Sequence, residues 1–133
     1  MNHIASPDTS DAGIERLIQT KGKTSARVTP ADMKANIVSE YYFTAENGVM
    51  GREHVEGAPR AVYETSLCLL TFCVLVLKNG FTVTGESACA SPENFDAEIG
   101  RNIARENAVQ KIWPLMGYEL RTRLSQTTSA SND

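Results

Sequence analysis

An α+β domain built around one antiparallel β-hairpin is the fold the sequence predicts, and three local signals predict it. Asn79-Gly80 stands between two runs rich in Val, Leu, Phe and Thr, the pattern of two strands joined by a tight turn. Thr29-Pro30-Ala31-Asp32 and Ser91-Pro92-Glu93-Asn94 each set a capping side chain before a proline, which suits a helix start. Helices therefore flank the hairpin, in the order α-α-β-β-α-α.

A chain of 133 residues fits one domain, since domains run to roughly 100–200 residues. That domain spans residues 11–124. The tails, 1–10 and 125–133, are rich in Ser, Thr, Asn and Asp and have little to bury. Hydrophobic residues make up 41% of the chain and charged ones 22%, enough apolar surface for one core. The net charge of −3 argues against non-specific binding to nucleic acid, which needs a basic surplus. Cys68, Cys73 and Cys89 are odd in number and sit in apolar or small-residue stretches. With no basic, apolar leader at Met1, they point to reduced thiols in a cytoplasm. The longest apolar run, Leu67 to Leu77, falls far short of the ~20 residues that span a bilayer, so no membrane role is expected.

Taken in order, Asp11 to Thr20 fits a short amphipathic helix, with Ile14, Leu17 and Ile18 at helical spacing and Gly22 to stop it. From Pro30 a second helix is expected to run to about Phe43, because Met33, Ile37 and Tyr41 recur every four residues. Residues 46–60 contain three glycines and many polar side chains and read as a long connection. In the hairpin, a type I′ turn at Asn79-Gly80 would pair Lys78 with Phe81, Val76 with Val83 and Val74 with Gly85. Cys73, Leu75 and Leu77 would then face away from that side. A strand apolar on both faces is normally covered on both, so a homo-oligomer is expected. The helix from Ser91 should end near Trp113 at Pro114. Phe95, Ile99, Ile103, Val109 and Trp113 form its large apolar stripe, with Ala97, Ala104 and Ala108 opposite. A final helical segment follows from Leu115 to Leu124.

No catalytic constellation stands out. Cys89 lies in a turn before a helix, where a thiol pKa can fall, but only His3 and His54 could serve as bases and both sit in polar, unstructured-looking segments. A packed thiol is the simpler reading. Cys68 and Cys73 lie five apart without metal-ligand spacing, so neither a metal nor a cofactor is expected. Arg101 and Arg105 are one helical turn apart, a spacing that clamps a phosphate or carboxylate; the plainer reading is a solvated face, with Glu98 paired to Arg101. Ser87, Ser91 and Asn94 offer small polar groups in the turn before the helix. Phe81, Tyr41 and Tyr42 are candidates to stack on a base.

The segment NGFTVTGESACASPENFDAEIGRNIARENAVQKIWPLMGYEL, closing on Lys111 to Tyr118, resembles a family of small accessory proteins of tailed bacteriophages and prophages. Arg27 to Val49 is similar to the N-terminal part of that family. The resemblance implies a role inside an infected bacterium and carries no catalytic residues. Two functions of different class follow from it. One is sequestration of a nucleotide immune signal, such as a cyclic dinucleotide or a cyclic ADP-ribose derivative, with Arg101 and Arg105 on the phosphates. The other is a protein–protein inhibitor or adaptor acting on a host or defence protein.

Overall fold

The computed structural model describes residues 7–57 and 64–130. The outermost parts of the two expected tails, and the end of the expected 46–60 connection, lie outside the described residues. The chain forms two compact units. One comprises Met1–Ala35 with Leu115–Asp133, and the other Asn36–Pro114.

In the first unit, α1 covers Asp11–Thr20 as the sequence predicts. Ser10 caps it, its Oγ accepting the Gly13 N–H at 3.1 Å. The second helix, α2, is much shorter than expected: it covers Pro30–Ala35 and no more. Thr29 Oγ1 accepts the Asp32 N–H and Asp32 Oδ2 accepts the Thr29 N–H, both at 3.0 Å, a reciprocal cap. Arg27 clamps Glu15 with two hydrogen bonds of 2.6 and 2.5 Å.

In the second unit, the stretch predicted to continue that helix is a strand, β1, Ile37–Thr44. Its sequence, IVSEYYFT, is β-branched and aromatic, and such side chains lose rotamer freedom in a helix but fit a pleated surface. The four-residue recurrence of Met33, Ile37 and Tyr41 is accidental. The expected connection after it is also ordered for most of its length. It is helix α3, Ala45–Glu56, which opens with a Thr44–Asn47 capping box and ends at Gly57, whose φ is +68°. A 3₁₀ turn at Thr65–Leu69 leads into β2, Leu70–Leu77, followed by β3, Thr82–Ala88. The sheet is antiparallel with order β1-β2-β3. The fold is thus α+β, with one strand more than predicted.

The hairpin stands where the sequence places it, but its register is shifted by one residue. Cys73 lies opposite Gly85 and Leu75 opposite Val83. The turn explains the shift. Leu77 C=O accepts the Gly80 N–H, and Leu77 N–H donates to Phe81 C=O, both at 2.9 Å. Only Gly80 takes a positive φ, +88°, so a three-residue loop replaces the type I′ turn. A one-residue slip exchanges the two faces of a strand. Val83 and Gly85 therefore share a face with Cys73, Leu75 and Leu77.

That face is covered by the chain itself. The last helix, α4, spans Ala97–Ala130 without a break at Pro114, and its portion up to Pro114 lies in this unit. It is joined to β3 through a 3₁₀ turn at Pro92–Asn94. Asp96, not Ser91, caps it, Oδ1 accepting the Ile99 N–H at 2.9 Å. The helix rests on the sheet through its small residues. A methyl group added to Gly85 would collide with the backbone of Ala104 and Ala108. One added to Gly100 would stand 3.1 Å from Thr71 Oγ1. Cys73, Leu75, Ala104, Ala108 and Ile112 are fully buried, and Val109 nearly so. Each large side chain among them contributes roughly 1.5–3 kcal/mol by leaving water.

The large apolar stripe predicted to anchor α4 is open in part, with Val109 alone among its five residues buried. Ile99 is 58% and Ile103 47% exposed, and Trp113 is only half-buried. Close approach at Gly85 selects the alanine side of the helix, which turns the bulky side outward. The exposure of Cys73, Leu75 and Leu77 that motivated a homo-oligomer does not arise, because α4 covers them. On the opposite face of the sheet, Tyr41 is 57% and Phe43 39% exposed.

Candidate functional site

Two cavities open beside the start of α4, the first against β1 and β2 and the second against the end of β3. The first, of about 110 Å³, is lined among others by Tyr42, Thr44, Asn47, Thr71, Phe95 and Arg101. Strand alternation puts Tyr42 and Thr44 on the inward face of β1, opposite Cys73 and Thr71. Thr44 is also the N-cap of α3, and Asn47 its third residue. Thr44 Oγ1 accepts the Asn47 N–H at 3.2 Å while Asn47 Oδ1 accepts the Thr44 N–H at 2.9 Å. The positive end of a 12-residue helix therefore borders the same groove as the Arg101 guanidinium. Phe95 closes the other wall.

The two arginines of the predicted clamp have different surroundings. Arg105 donates from Nε to Glu40 Oε1 at 2.6 Å, and this carboxylate holds the Arg105 pKa above its ordinary value. Arg101 makes no hydrogen bond or ion pair among the described residues, and the pairing with Glu98 expected from the sequence does not form. Tyr42 stands opposite Cys73 across the β1–β2 pair. Burial raises the pKa of both groups. What Tyr42 offers the groove is its ring.

The second cavity, of about 260 Å³, is lined by Ser87, Cys89, Asn94, Phe95, Asp96 and Ile99 among others. Cys89 Sγ donates to the Ser91 C=O at 3.1 Å. Phe95 lines both cavities. Among the described residues there is no cluster of three or more His, Cys, Asp or Glu able to hold a metal, and no helix is long and apolar enough to cross a membrane.

The predicted site residues thus divide into groups. Arg101 shares the first cavity with Tyr42, and Ser87 shares the second with Asn94. Arg105 stands at the edge, bound to Glu40. Ser91 spends its hydroxyl on Glu93 Oε2 at 2.7 Å. Tyr41 projects from the other face of β1, and Phe81 sits beyond the hairpin turn, 55% exposed; neither reaches these cavities.

A family model described as the Phage protein (N4 Gp49/phage Sf6 gene 66) family matches residues 28–124. The chain belongs to this family. The match takes in β1, α3, the hairpin and most of α4, so both cavities of this phage accessory protein lie inside the family's shared region. No curated protein and no solved structure matches.

Sequence reasoning missed Phe95, Thr71, Thr44 and Asn47 as parts of the site of this phage protein. Thr44-x-x-Asn47 is a capping pattern that, read as such, would have marked the start of α3. Thr71 carried no signal, because its role depends on which strand lies opposite.

Proposed function

We propose that this phage accessory protein is a non-enzymatic binding protein that captures a phosphorylated nucleotide signal of the host's defence, such as a cyclic dinucleotide or a cyclic ADP-ribose derivative. The observation that carries the reading is Arg101, unpaired among the described residues and set in a groove lined by Tyr42, Phe43 and Phe95 beside the N-terminus of α3. A guanidinium offers a planar fork matched to phosphate oxygens. The helix terminus adds positive potential. Tyr42 and Phe95 supply apolar walls for a flat ring. The described residues lining the groove set no nucleophile beside a base, so the chemistry they support is holding a ligand and not transforming it.

The test is to recover the protein from infected, defence-active cells, release bound small molecules by heat, and identify them by mass spectrometry. The expected result is a phosphorylated nucleotide released by the wild type and lost with Arg101→Ala. Release of no nucleotide would overturn the reading.

A second reading, a protein–protein inhibitor or adaptor acting on a host or defence protein, draws on the exposed Tyr41 and Phe43 of the outer sheet face. Under that reading Tyr41→Ala abolishes activity and Arg101→Ala does not.

A further inference from the structure

The two cavities described above meet at one side chain, and the groups around them differ in charge. The Arg101 groove carries a guanidinium and a helix N-terminus. The Cys89 cavity carries the Asp96 carboxylate, the Ser87 hydroxyl, the Asn94 amide and apolar walls that include Ile99 and Ile103. Neither cavity alone reaches the roughly 300 Å³ at which small-molecule pockets begin, and the two together pass it. Phe95 borders both. Gly100 lines the second cavity and lies against Thr71, which lines the first, and against the Phe95 ring.

We propose that the two cavities are the halves of one site that holds a single nucleotide unit, with its phosphate at Arg101, its neutral heterocycle in the Cys89 cavity, and the Phe95 ring between them. This rests on the reading of Arg101 as a phosphate-binding residue. Charge fixes the orientation. Asp96 repels a phosphate from the second cavity, while the first attracts it. The second cavity suits an uncharged ring: its walls are largely apolar, and neither the Asn94 amide nor the Ser87 hydroxyl has a side-chain partner among the described residues. An amide offers a donor and an acceptor side by side, the pattern that the edge of a nucleobase presents in return. Phe95 lines both cavities, and stacking on its ring would favour a planar base over an aliphatic group.

Calorimetry on the full chain with pyrophosphate, ADP, GDP and UDP separates this inference from the reading beneath it. Pyrophosphate probes the Arg101 groove alone; the nucleoside diphosphates probe both halves. The expected result is weak binding of pyrophosphate and at least tenfold tighter binding of one or more of the three nucleotides. Asn94→Ala, an exposed position whose side chain holds nothing in the fold, should remove most of that advantage and leave pyrophosphate unchanged. If pyrophosphate binds as tightly as every nucleotide, or Asn94→Ala changes nothing, the second cavity is not part of the site and the Arg101 reading stands alone. If none of the four binds, the two-compartment site falls, and the Arg101 reading is decided separately by the cyclic nucleotides.

Discussion

Glu40 and Arg105 lie 65 positions apart in the chain and meet at 2.6 Å, joining β1 to α4. Each side chain is about one-third exposed, so solvent screens the pair and its contribution is modest. A double-mutant cycle of Glu40→Gln and Arg105→Ala, read by urea denaturation, should give a coupling of about 0.5–1 kcal/mol. The pair also occupies the cation that would otherwise stand one turn from Arg101. Arg105→Ala should therefore weaken ligand binding less than Arg101→Ala does. Equal losses from the two variants would mean that Arg105 leaves Glu40 for the ligand.

The contact between Gly85 and α4 leaves no room for a side chain. Gly85→Ala places a methyl group inside the backbone of Ala104 and Ala108, and the helix must lift to admit it. Overpacking of this kind typically costs about 1–3 kcal/mol and can cost more against rigid backbone. A denaturation midpoint unchanged from the wild type would show that α4 is not seated there. Leu75, fully buried beneath the same helix, should cost about 2–5 kcal/mol as Leu75→Ala. Because α4 covers it, Leu75→Asp should unfold the protein and not merely separate copies of it, as circular dichroism would show.

Acid should weaken the first unit through Glu15. The two hydrogen bonds from Arg27 are the main cause that holds its carboxyl down at about 2, against an ordinary value of 4.5. A carboxyl whose pKa is depressed by folding stabilises the fold fully above its unfolded pKa, and the contribution fades as pH falls through the folded one. Asp32 and Asp8 are shifted in the same direction, Asp32 by hydrogen bonds at Thr29 and Asp8 by hydrogen bonds from Ser10. Stability measured by urea denaturation should fall between about pH 4.5 and pH 2. Glu15→Gln should flatten that slope. A slope identical in the variant would assign the acid sensitivity elsewhere.

How far the sequence reveals this fold depends on whether each signal is local. Thr29-Pro30 marks a helix start and α2 begins there, since capping needs only neighbours in the chain. Asn79-Gly80 locates the hairpin for the same reason. The register is not local in that sense. It is set by a three-residue loop with Gly80 alone at positive φ, and a single residue decided which face met the helix. IVSEYYFT satisfied a helical spacing by coincidence, and pairing with the apolar β2 made it a strand. The site shows the same division. The arginines were visible as a pair, yet Glu40, which binds one of them, lay in a stretch read as helix. Phe95 was assigned to the core stripe, and only the packing of α4 through Ala104 and Ala108 leaves its ring facing two cavities.

The most direct test of the account is the affinity of the Arg101 groove for a phosphorylated nucleotide signal. Calorimetry with cyclic dinucleotides and cyclic ADP-ribose derivatives should show binding by the wild type. Hydrogen bonds to charged groups contribute about 1.5–3 kcal/mol, so Arg101→Ala should weaken binding about ten- to a hundredfold. Arg101→Lys should restore part of it, since the charge returns without the bidentate fork. Absence of binding by the wild type, or equal binding by Arg101→Ala, would contradict the account.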